Sequence, residues 1–508
     1  MYGISTLLIY FDNKLIQHTN KYTQINNIKT NSLILLMTIP KIIHQLWIGT
    51  KPAPTKFMNT WKEKHVELGF EYIFWNEEEL KKRGMTLILN DKIDSMEEIN
   101  GKADIIRWEI LEKYGGVFVD ADSICIEPVD DTLLKCKAGC FAGYEQEQIR
   151  KGLIATGTMG FPPHHPIVQH CIKWIRQNPV SNVLTRQRAW YNVGPGLLTR
   201  IVNDYNMLKQ ITVFPSYYFL PRHYSGIEYK GHEKVYAYQE WGSTKQSYET
   251  MNQLSLPKEF SKPDKSVSVL VSSLNTQASY VKECLDSIKS QVGLFHIELV
   301  WINDGSDKLH TMLLKKQLEH FKKTSRFVTV VYKENDGNKG IGYTLHHGVL
   351  MCSNEIIIKM DSDDIMVPDR IFKQLKFMEN NPEIHICGAQ IQMFRENIGR
   401  VVDITRLPTI RWQDFKQRPV HWFINHPTVC YRKSSIIKAG NYNPELKKMA
   451  EDFNLELRML KMFGVVYNFS EPLLYYRLHP NQVTHNGGSE GREYWNKVRN
   501  KMITDLIN

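Results

Sequence analysis

Short apolar runs alternate with amphipathic stretches along the second half of the chain. Val267–Ser272 is rich in β-branched residues, and in the stretch 280–291 apolar residues recur at helical spacing. The same alternation predicts three further strands, at Ile297–Ile302, Phe327–Tyr332 and Glu355–Met360. It also predicts a helix at Gly340–Met351. Strands that alternate with helices indicate an α/β domain with a mainly parallel, doubly wound sheet. In such sheets ligands bind beyond the carboxyl ends of the strands.

The first half of the chain has the same elements in a looser arrangement. Ile42–Ile48 and Glu71–Trp75 are predicted strands, and Ala103–Tyr114 has the apolar spacing of a packed helix. Gly115-Gly116 is expected to end that helix, because glycine readily adopts the backbone conformation found at helix C-termini. Val117–Val119 then forms a short buried strand.

The chain of 508 residues is long enough for several domains. We expect a poorly ordered extension over residues 1–37, a first domain over 38–243, a polar linker over 244–266 and a second domain over 267–485. Residues 486–508 are predicted to form a short charged tail.

Composition excludes several classes of protein. Hydrophobic residues make up 42% and charged residues 23% of the chain, which excludes wholesale disorder. No apolar stretch approaches the ~18–20 residues that a transmembrane helix needs. The net charge of +10 is spread along the chain rather than clustered. A nucleic-acid partner is therefore not expected.

Cysteine usage indicates a reducing compartment. The 8 cysteines are scattered without a CxxC pair, so we expect free, packed thiols and a cytoplasmic location. Cys136 and Cys140 lie four residues apart but have no neighbouring pair of His or Cys, so a zinc site is not expected.

Closely spaced aspartates follow one hydrophobic strand in each half of the chain. Val117–Val119 leads into Asp120 and Asp122, and Ile356–Met360 leads into the run Asp361, Asp363 and Asp364. Crowded carboxylates repel one another unless a divalent cation or a strong donor network neutralises them. Oxygen ligands favour Mg²⁺ or Mn²⁺, which commonly bridge protein carboxylates to diphosphates. The alternative is that these aspartates are solvated turn residues.

Two further pairs of charged residues can each have a structural or a functional role. Asp104 and Arg107 lie at i and i+3, so they share a helix face as a surface ion pair or as ligands for a polyhydroxyl group. Glu451 and Asp452 precede a predicted helix at Phe453–Met462. They are favoured there by the helix dipole, and one of them can also act as a general base.

The first domain resembles glycosyltransferase family 32, the DXD-containing sugar transferases. The matching segments occur in the family's order, at Ile39–Gly49, Ala103–Arg107, Tyr114–Asp122, Gly157–Phe161 and Asn192–Gly196. The resemblance implies a GT-A fold and retaining transfer by a front-face mechanism. It also implies that Trp47 stacks on the base of the donor, that Asp104 and Arg107 contact the donor sugar, and that Asp120 and Asp122 reach ribose and metal.

One position departs from the family 32 pattern. Near the end of the domain the family usually has a His before a Trp and a Ser, whereas this chain has Gln239 and Glu240 near that place. An amide or a carboxylate there could still serve the metal or the diphosphate.

The second domain resembles glycosyltransferase family 2, which is also GT-A but inverting. The matching segments are Val267–Val271, Asn303–Ser306, Asn338–Gly342, Asp361–Asp364, Glu451-Asp452 and Tyr476–His479. Departures are small: Asn303 replaces the usual first Asp, and Ser272-Ser273 replaces the usual Pro-Thr.

The family 2 resemblance implies a role for each acidic residue of the second domain. Asp304 would bind the base of the nucleotide, and Asp361 and Asp363 would hold metal and diphosphate. Asp364 is counted with the substrate-binding residues. Asp452 would be the general base, with Glu451 as the next candidate. His479 is either a metal or diphosphate ligand or a structural residue.

Together these features predict an α/β protein with two tandem GT-A domains and two glycosyltransferase activities. Each domain would use Mn²⁺ or Mg²⁺ and a UDP- or GDP-sugar, and would transfer the sugar to a glycan or glycoprotein acceptor. The alternative is that only one domain is active and the other is a decayed carbohydrate- or nucleotide-binding module. A metal-dependent nucleotidyl- or phosphotransferase is less favoured, because no Gly-rich phosphate loop with a Lys is present.

Overall fold

A computed structural model describes residues 38–254, 263–447, 450–480, 482 and 488–507. The chain forms two compact units, residues 1–229 with 235–256, and residues 230–234 with 257–508. The predicted extension over 1–37, the middle of the predicted linker and most of the segment before the tail lie outside the described residues.

Two segments near the predicted domain boundary are not where the sequence places them. The start of the predicted linker is part of the first unit, where it forms a helical turn at Gly242–Lys245 and a 3-10 turn at Met251–Gln253. Lys230–Lys234 belongs to the second unit, where the backbone N–H of His232 donates to the carbonyl of Lys289 at 3.0 Å.

The first unit contains a mixed sheet with helices packed on it. Its strands are β1 Ile42–Leu46, β2 Glu71–Trp75, β3 Gly116–Val119, β4 Ser123–Cys125, β5 Phe141–Tyr144, β6 Ile154–Phe161, β7 Thr212–Phe214 and β8 Ala237–Gln239. Its helices are α1 Thr55–Val66, α2 Glu77–Lys82, α3 Asn90–Ser95, α4 Ile99–Tyr114, α5 Asp131–Leu134, α6 Pro166–Gln177, α7 Asn182–Thr185, α8 Ala189–Asn192, α9 Pro195–Asp204 and α10 Gly242–Lys245.

The topology of the first unit places the end of β3 in the middle of its sheet. The strand order is β2-β1-β3-β6-β5-β7, with β1 parallel to β2 and β3, and β6 antiparallel to β3 and β5. A separate ladder joins β4 to β8 and sets Ser123 opposite Gln239. Since Asp120 and Asp122 lie between β3 and β4, this ladder brings the end of β8 beside them.

The second unit is organised around a longer mixed sheet. Its strands are β9 Ser266–Ser273, β10 His296–Asn303, β11 Val328–Glu334, β12 Ile356–Asp361, β13 Ile365–Met366, β14 Ile386–Phe394, β15 Val401–Ile404, β16 Ile410–Arg411, β17 Cys430–Arg432 and β18 Val465–Arg477. Its helices are α11 Ala278–Lys289, α12 Lys308–Thr324, α13 Ile341–Met351, α14 Arg370–Asn380, α15 Trp412–Gln417, α16 Lys433–Lys438, α17 Glu451–Phe463 and α18 Gly488–Ile507.

The predicted parallel sheet is correct for only part of the second unit. The order is β11-β10-β9-β12-β17-β14-β18-β13, and the first four strands are parallel. From β12 onward the pairing becomes mixed, because β17 runs antiparallel to both β12 and β14. The predicted strands before residue 361 all form within two residues of their expected ends. The mixed half was missed because β17 has only three residues and gives little periodic signal.

Each unit has its own buried core, and the cysteines contribute to both. All eight cysteines are free, and all are buried except Cys136, which is partly buried. Within the described ranges, no helix is long and apolar enough to cross a bilayer.

The predicted helix end at Gly115-Gly116 is confirmed and generates a stability prediction. α4 ends at Tyr114, and Gly115 has φ 61° and ψ −150°. An added Cβ at Gly115 would lie 2.5 Å from the backbone nitrogen of Pro163, whereas at Gly84, with φ +58°, it would meet no atom within 4 Å.

We therefore expect Gly115→Ala to destabilise the first unit more than Gly84→Ala does. Both variants place a Cβ at positive φ, which costs about 1–3 kcal/mol. Gly115, with ψ −150°, lies outside the left-handed helical region in a conformation that is essentially restricted to glycine, and only Gly115→Ala adds a clash with backbone. Urea denaturation of the full chain measures the difference in midpoint. Equal midpoints would show that the close approach of Pro163 is not a constraint.

Candidate active sites

One cavity of about 950 Å³ in the first unit is lined by every residue predicted for the first site. These residues are Trp47, Asp104, Arg107, Asp120 and Asp122. They come from the ends of β1 and β3 and from one face of α4, so the fold collects residues that are up to 75 positions apart in sequence. The cavity volume lies at the upper end of the usual range for small-molecule sites, about 300–1,000 Å³.

Arg107 is the centre of this site. Its Nη2 lies 2.5 Å from Oδ1 of Asp120 and 3.3 Å from Oδ1 of Asp104. Its Nη1 donates to the carbonyl of Thr156 at 2.5 Å, and its guanidinium lies over the ring of Phe118. The side chains of Arg107 and Asp104 are only 8% and 12% exposed, so the alternative of an ordinary surface ion pair is wrong.

Gln239 reaches the aspartates from the opposite side. Its Nε2 donates to Oδ2 of Asp120 at 3.0 Å and to Oδ1 of Asp122 at 2.7 Å. The backbone N–H of Gly242 donates to the other oxygen of Asp122 at 2.7 Å. Glu240 instead pairs with Lys245. Of the two residues near the family's usual His position, Gln239 is the one whose side chain contacts the carboxylates, whereas the backbone N–H of Glu240 donates to the carbonyl of Asp122 at 3.0 Å.

The aspartates of this cavity have raised pKa values. Burial raises the pKa of Asp104 to about 6, although Arg107 opposes the shift. Burial and the charge of Asp120 raise the pKa of Asp122 to about 7. One guanidinium balances only one of three carboxylates, so a divalent cation fits this donor set. Asp120 and Asp122 would hold it.

Trp47 has an aromatic neighbour that the sequence did not reveal. Its Nε1 donates to the carbonyl of Lys51 at 2.7 Å, and its ring meets the ring of Tyr248 edge-on, with centroids 5.0 Å apart. Tyr248 lines the same cavity but lies in the predicted linker. A single aromatic residue in a polar stretch has no periodic signal, so only the tertiary contact identifies it.

In the second unit, Asp304 at the end of β10 is held by a neighbouring loop. Its Oδ1 accepts hydrogen bonds from Nδ2 of Asn335 at 2.8 Å and from the backbone N–H of Lys339 at 3.0 Å, and its Oδ2 accepts one from Gly340 at 3.0 Å. Asp304 is buried, so it is not a solvated turn residue. The carboxylate fixes the loop that opens α13, and contact with a nucleotide base stays a prediction.

The aspartates after β12 face different partners. The carboxylate of Asp361 contacts the ammonium group of Lys359. Oδ2 of Asp363 lies 2.9 Å from Nε2 of His479, so the structure brings these two predicted ligands together. Asp364 is completely buried, and its Oδ1 accepts the backbone N–H of Arg477 at 2.8 Å. Burial and the charge of Asp363 raise the pKa of Asp364 well above its ordinary value.

Glu451 and Asp452 open α17, and His426 lies beside them. One ring nitrogen of His426 and one oxygen of each carboxylate all lie within 4.8 Å of one another. His426 Nε2 also lies 2.8 Å from the hydroxyl of Tyr442. Burial and the charge of Asp452 raise the pKa of Glu451 to about 8. Sequence reasoning missed His426, which lies 25 residues before Glu451 and in no motif that it used.

Lys359 is a buried cation of this second site. Its side chain is 1% exposed, and burial lowers its pKa to about 8, although carboxylates around it oppose that shift. The opposing groups, in order of effect, are Asp364, Asp363, Glu451 and Asp452. The buried Arg477 also acts on Asp364. These two cations are fewer than the carboxylates around them, so a divalent cation fits here as well. Asp361 and Asp363 with His479 would hold it, and the oxygen-rich set suits Mn²⁺ or Mg²⁺.

Family models match part of each unit. A model described as "Glycosyl transferase family 2" matches residues 268–439, and one described as "Glycosyltransferase sugar-binding region containing DXD motif" matches residues 54–137. An uncharacterized glycosyltransferase of Haemophilus influenzae is 30% identical over 217 residues, which are 42% of this chain and 77% of that protein. The chain belongs to the glycosyltransferases.

Two further proteins are similar to part of the chain. The amylovoran biosynthesis glycosyltransferase AmsE of Erwinia amylovora is 29% identical over 244 residues, 46% of this chain and 82% of that protein. A crystal structure of S. aureus TarS in complex with UDP-GlcNAc covers 48% of this chain and 72% of its own, at 16% identity and a TM-score of 0.35. The predicted family resemblances and the predicted fold class, α/β with two GT-A domains, are confirmed.

Proton competition should make metal binding at Asp120 and Asp122 depend on pH. Because the pKa of Asp122 is raised to about 7, a cation must displace a proton from it near neutral pH. We expect the Mn²⁺ affinity of this glycosyltransferase site to increase between about pH 6 and pH 8 and then to level off. Calorimetry in an Asp363→Asn background isolates the first site.

The matched control for this titration is Asp131→Asn, which changes an exposed aspartate of the same unit. It should leave the pH profile unchanged, whereas Asp122→Asn should remove it together with most of the affinity. An Mn²⁺ affinity that stays constant across this pH range would exclude Asp122 as a metal ligand.

Proposed function

We propose that the chain is a bifunctional, metal-dependent glycosyltransferase with one nucleotide-sugar site in each unit. The observation that carries the proposal is that, in each unit, two partly or fully buried aspartates at the end of a central strand lie beside a buried cation. Asp120 and Asp122 with Arg107 form the first set, and Asp361 and Asp363 with Lys359 form the second. Two complete acidic sites favour two activities over one active domain and one decayed module.

In the first unit the residues are suited to hold a UDP- or GDP-sugar. Trp47, supported by Tyr248, offers an aromatic face for the base. Asp104 accepts hydrogen bonds from sugar hydroxyls, and Arg107 fixes both Asp104 and Asp120. A bound metal would neutralise the diphosphate as it leaves. The resemblance to family 32 supports retaining transfer, and the cavity supplies no role for Gln239 beyond orienting the acidic pair.

In the second unit, the resemblance to family 2 supports inverting transfer. The acceptor oxygen would bond to the anomeric carbon while the bond from that carbon to the diphosphate breaks, and Asp452 would take the hydroxyl proton. The backbone N–H of Phe453 donates to Oδ1 of Asp452 at 2.6 Å, which fixes the orientation of the carboxylate. His426 and Glu451 lie close enough to position it.

The acceptor is proposed to be a glycan or glycoconjugate, because two transferases in one chain suit successive additions to one growing product. The relative AmsE is named for a biosynthetic role of that kind, in amylovoran biosynthesis. A cytoplasmic location stays a prediction from cysteine usage.

Asp452→Asn and Asp361→Asn separate chemistry from binding in the second unit. Asp452→Asn removes the proton acceptor but keeps the shape, so transfer by this unit should fall by about 10²–10⁴-fold with little change in donor affinity. Asp361→Asn should instead weaken donor binding in the presence of Mn²⁺. Initial transfer rates with a panel of UDP- and GDP-sugars, together with calorimetry on the full chain, measure both quantities.

Two controls complete this experiment. Asp414→Asn changes an exposed aspartate of the second unit and should alter neither quantity. Asp122→Asn should abolish transfer by the first unit only. Near-normal transfer in Asp452→Asn would show that Asp452 is not the base. If the protein has a single transfer activity, and only the variants of one unit abolish it, the alternative with one active domain is supported.

EDTA should abolish both transfers, and Mn²⁺ or Mg²⁺ should restore them. The physical reason is that crowded carboxylates repel the diphosphate of the donor unless a cation lies between them. Full transfer by metal-free protein would contradict metal dependence in both units.

A further inference from the structure

Part of the wall of the first unit's cavity has no role in the proposed donor site. Glu145, Arg150, Trp190 and Tyr224 line this cavity together with the acidic cluster. They come from the end of β5, the loop before β6, helix α8 and the loop after β7. Three segments thus converge on this part of the cavity, since Glu145 and Arg150 belong to the same connection between β5 and β6.

The polar and aromatic groups of this wall contact one another. Arg150 Nη1 lies 3.1 Å from Oε1 of Glu145, and its guanidinium lies 4.9 Å from the ring centroid of Trp190. Nη2 of Arg150 donates to the hydroxyl of Tyr224 at 3.4 Å. The arginine therefore holds a carboxylate and two aromatic rings in a fixed arrangement.

Exposure differs between the two kinds of group. The Glu145 side chain is 7% exposed, whereas Trp190 and Tyr224 retain 36% and 43% of their surface. Large aromatic rings left open in a cavity provide flat apolar faces with polar edges, which suit a ligand that is apolar on one face and polar around its rim. A pyranose ring has this character.

The charges on this wall favour a neutral ligand. Glu145 lies 3.1 Å from Arg150 and compensates its charge, so Arg150 is not a free cation for an anionic sugar or a second diphosphate. Arg188 and Lys51 also line the cavity, and they pair with Glu98 and Glu249. The carboxylate and the tyrosine hydroxyl can still exchange hydrogen bonds with sugar hydroxyls.

We propose that Glu145, Arg150, Trp190 and Tyr224 form the acceptor subsite of the first unit, and that it binds a neutral hexopyranose residue. This inference rests on the proposed function of the unit, because a transferase must hold donor and acceptor in one cavity. It adds the chemical class of the acceptor unit and the residues that select it. The acceptor ring stacks on Trp190, and the Glu145–Arg150 pair orients its hydroxyls.

The test uses the full chain labelled with 5-fluorotryptophan and three probe glycosides. The fluorine resonance that is absent from Trp190→Phe identifies Trp190. Methyl α-D-mannopyranoside and methyl β-D-galactopyranoside are the neutral probes, and methyl β-D-glucopyranosiduronate is the anionic one. We expect at least one neutral probe to shift the Trp190 resonance in a saturable way and the uronate to leave it unchanged.

Glu145→Gln tests the charge argument separately. Without the carboxylate, Arg150 becomes an unbalanced cation, and we expect the uronate to shift the Trp190 resonance in this variant. If the uronate shifts the resonance in the unmodified chain, or leaves it unchanged in Glu145→Gln, the assignment to a neutral sugar is overturned.

Transfer kinetics relate the subsite to the reaction. Trp190→Ala should raise the acceptor KM of the first unit at least about tenfold and leave donor affinity by calorimetry within twofold, and Trp190→Phe should recover part of the loss. Trp422→Ala, which removes an exposed tryptophan of the other unit, should change nothing in the first unit's transfer.

The outcomes distinguish failure of this inference from failure of the proposed function. If the unmodified chain binds no UDP- or GDP-sugar at the first site, the proposed function is wrong. If the donor binds but no neutral glycoside shifts the Trp190 resonance, the acceptor subsite is wrong. If Trp190→Ala weakens donor binding, the wall belongs to the donor site.

Discussion

In each unit, a buried cation pairs with a carboxylate at the end of a central strand, where crowded acidic groups would otherwise repel one another. Arg107 lies within 3.3 Å of both Asp104 and Asp120, and Lys359 contacts Asp361 beneath the acidic run that follows β12. Neither cation alone balances the carboxylates around it. Burial and then the charge of a neighbouring carboxylate raise the pKa values of Asp122 and Glu451, and the crowded carboxylates make each site suited to a divalent cation.

The sheet explains why the same arrangement occurs twice. A strand that ends at the carboxyl edge of a parallel sheet delivers its next residues to a common edge, so β3 and β12 both lead their aspartates into a site. Helices then supply the remaining groups from the side: α4 carries Asp104 and Arg107, and α17 begins with Glu451 and Asp452. The position of the acidic residues therefore follows from the topology of the sheet. How their negative charge is compensated depends on which cation lies beside them.

Sequence periodicity was sufficient for the parallel strands, for several of the helices and for the acidic residues at the strand ends. It did not identify the helices Thr55–Val66 and Lys308–Thr324, which also connect parallel strands. It failed where a contact depends on tertiary pairing alone. Gln239 reaches the aspartates only because β8 pairs with β4, and Tyr248 reaches Trp47 from a stretch that looked like a linker. His426 and Lys359 were missed for the same reason. A lysine inside an apolar strand carries no signal that it will face carboxylates from the end of its own strand and from a distant helix.

The two cations differ in a way that matters for how the sites respond to pH. A guanidinium stays charged at any pH at which the protein is folded, so in the first unit the groups that titrate are the carboxylates, with the pKa of Asp122 raised to about 7. An ammonium can lose its proton when buried, and the pKa of Lys359 is lowered to about 8. Raising the pH above neutrality therefore completes the ionisation of the first site but begins to remove the compensating charge from the second. A divalent cation would change both situations, because Asp122 would lose its proton on holding it and the cation would supply positive charge where Lys359 loses it. The metal is thus the component that would let two electrostatically different sites operate in the same solution.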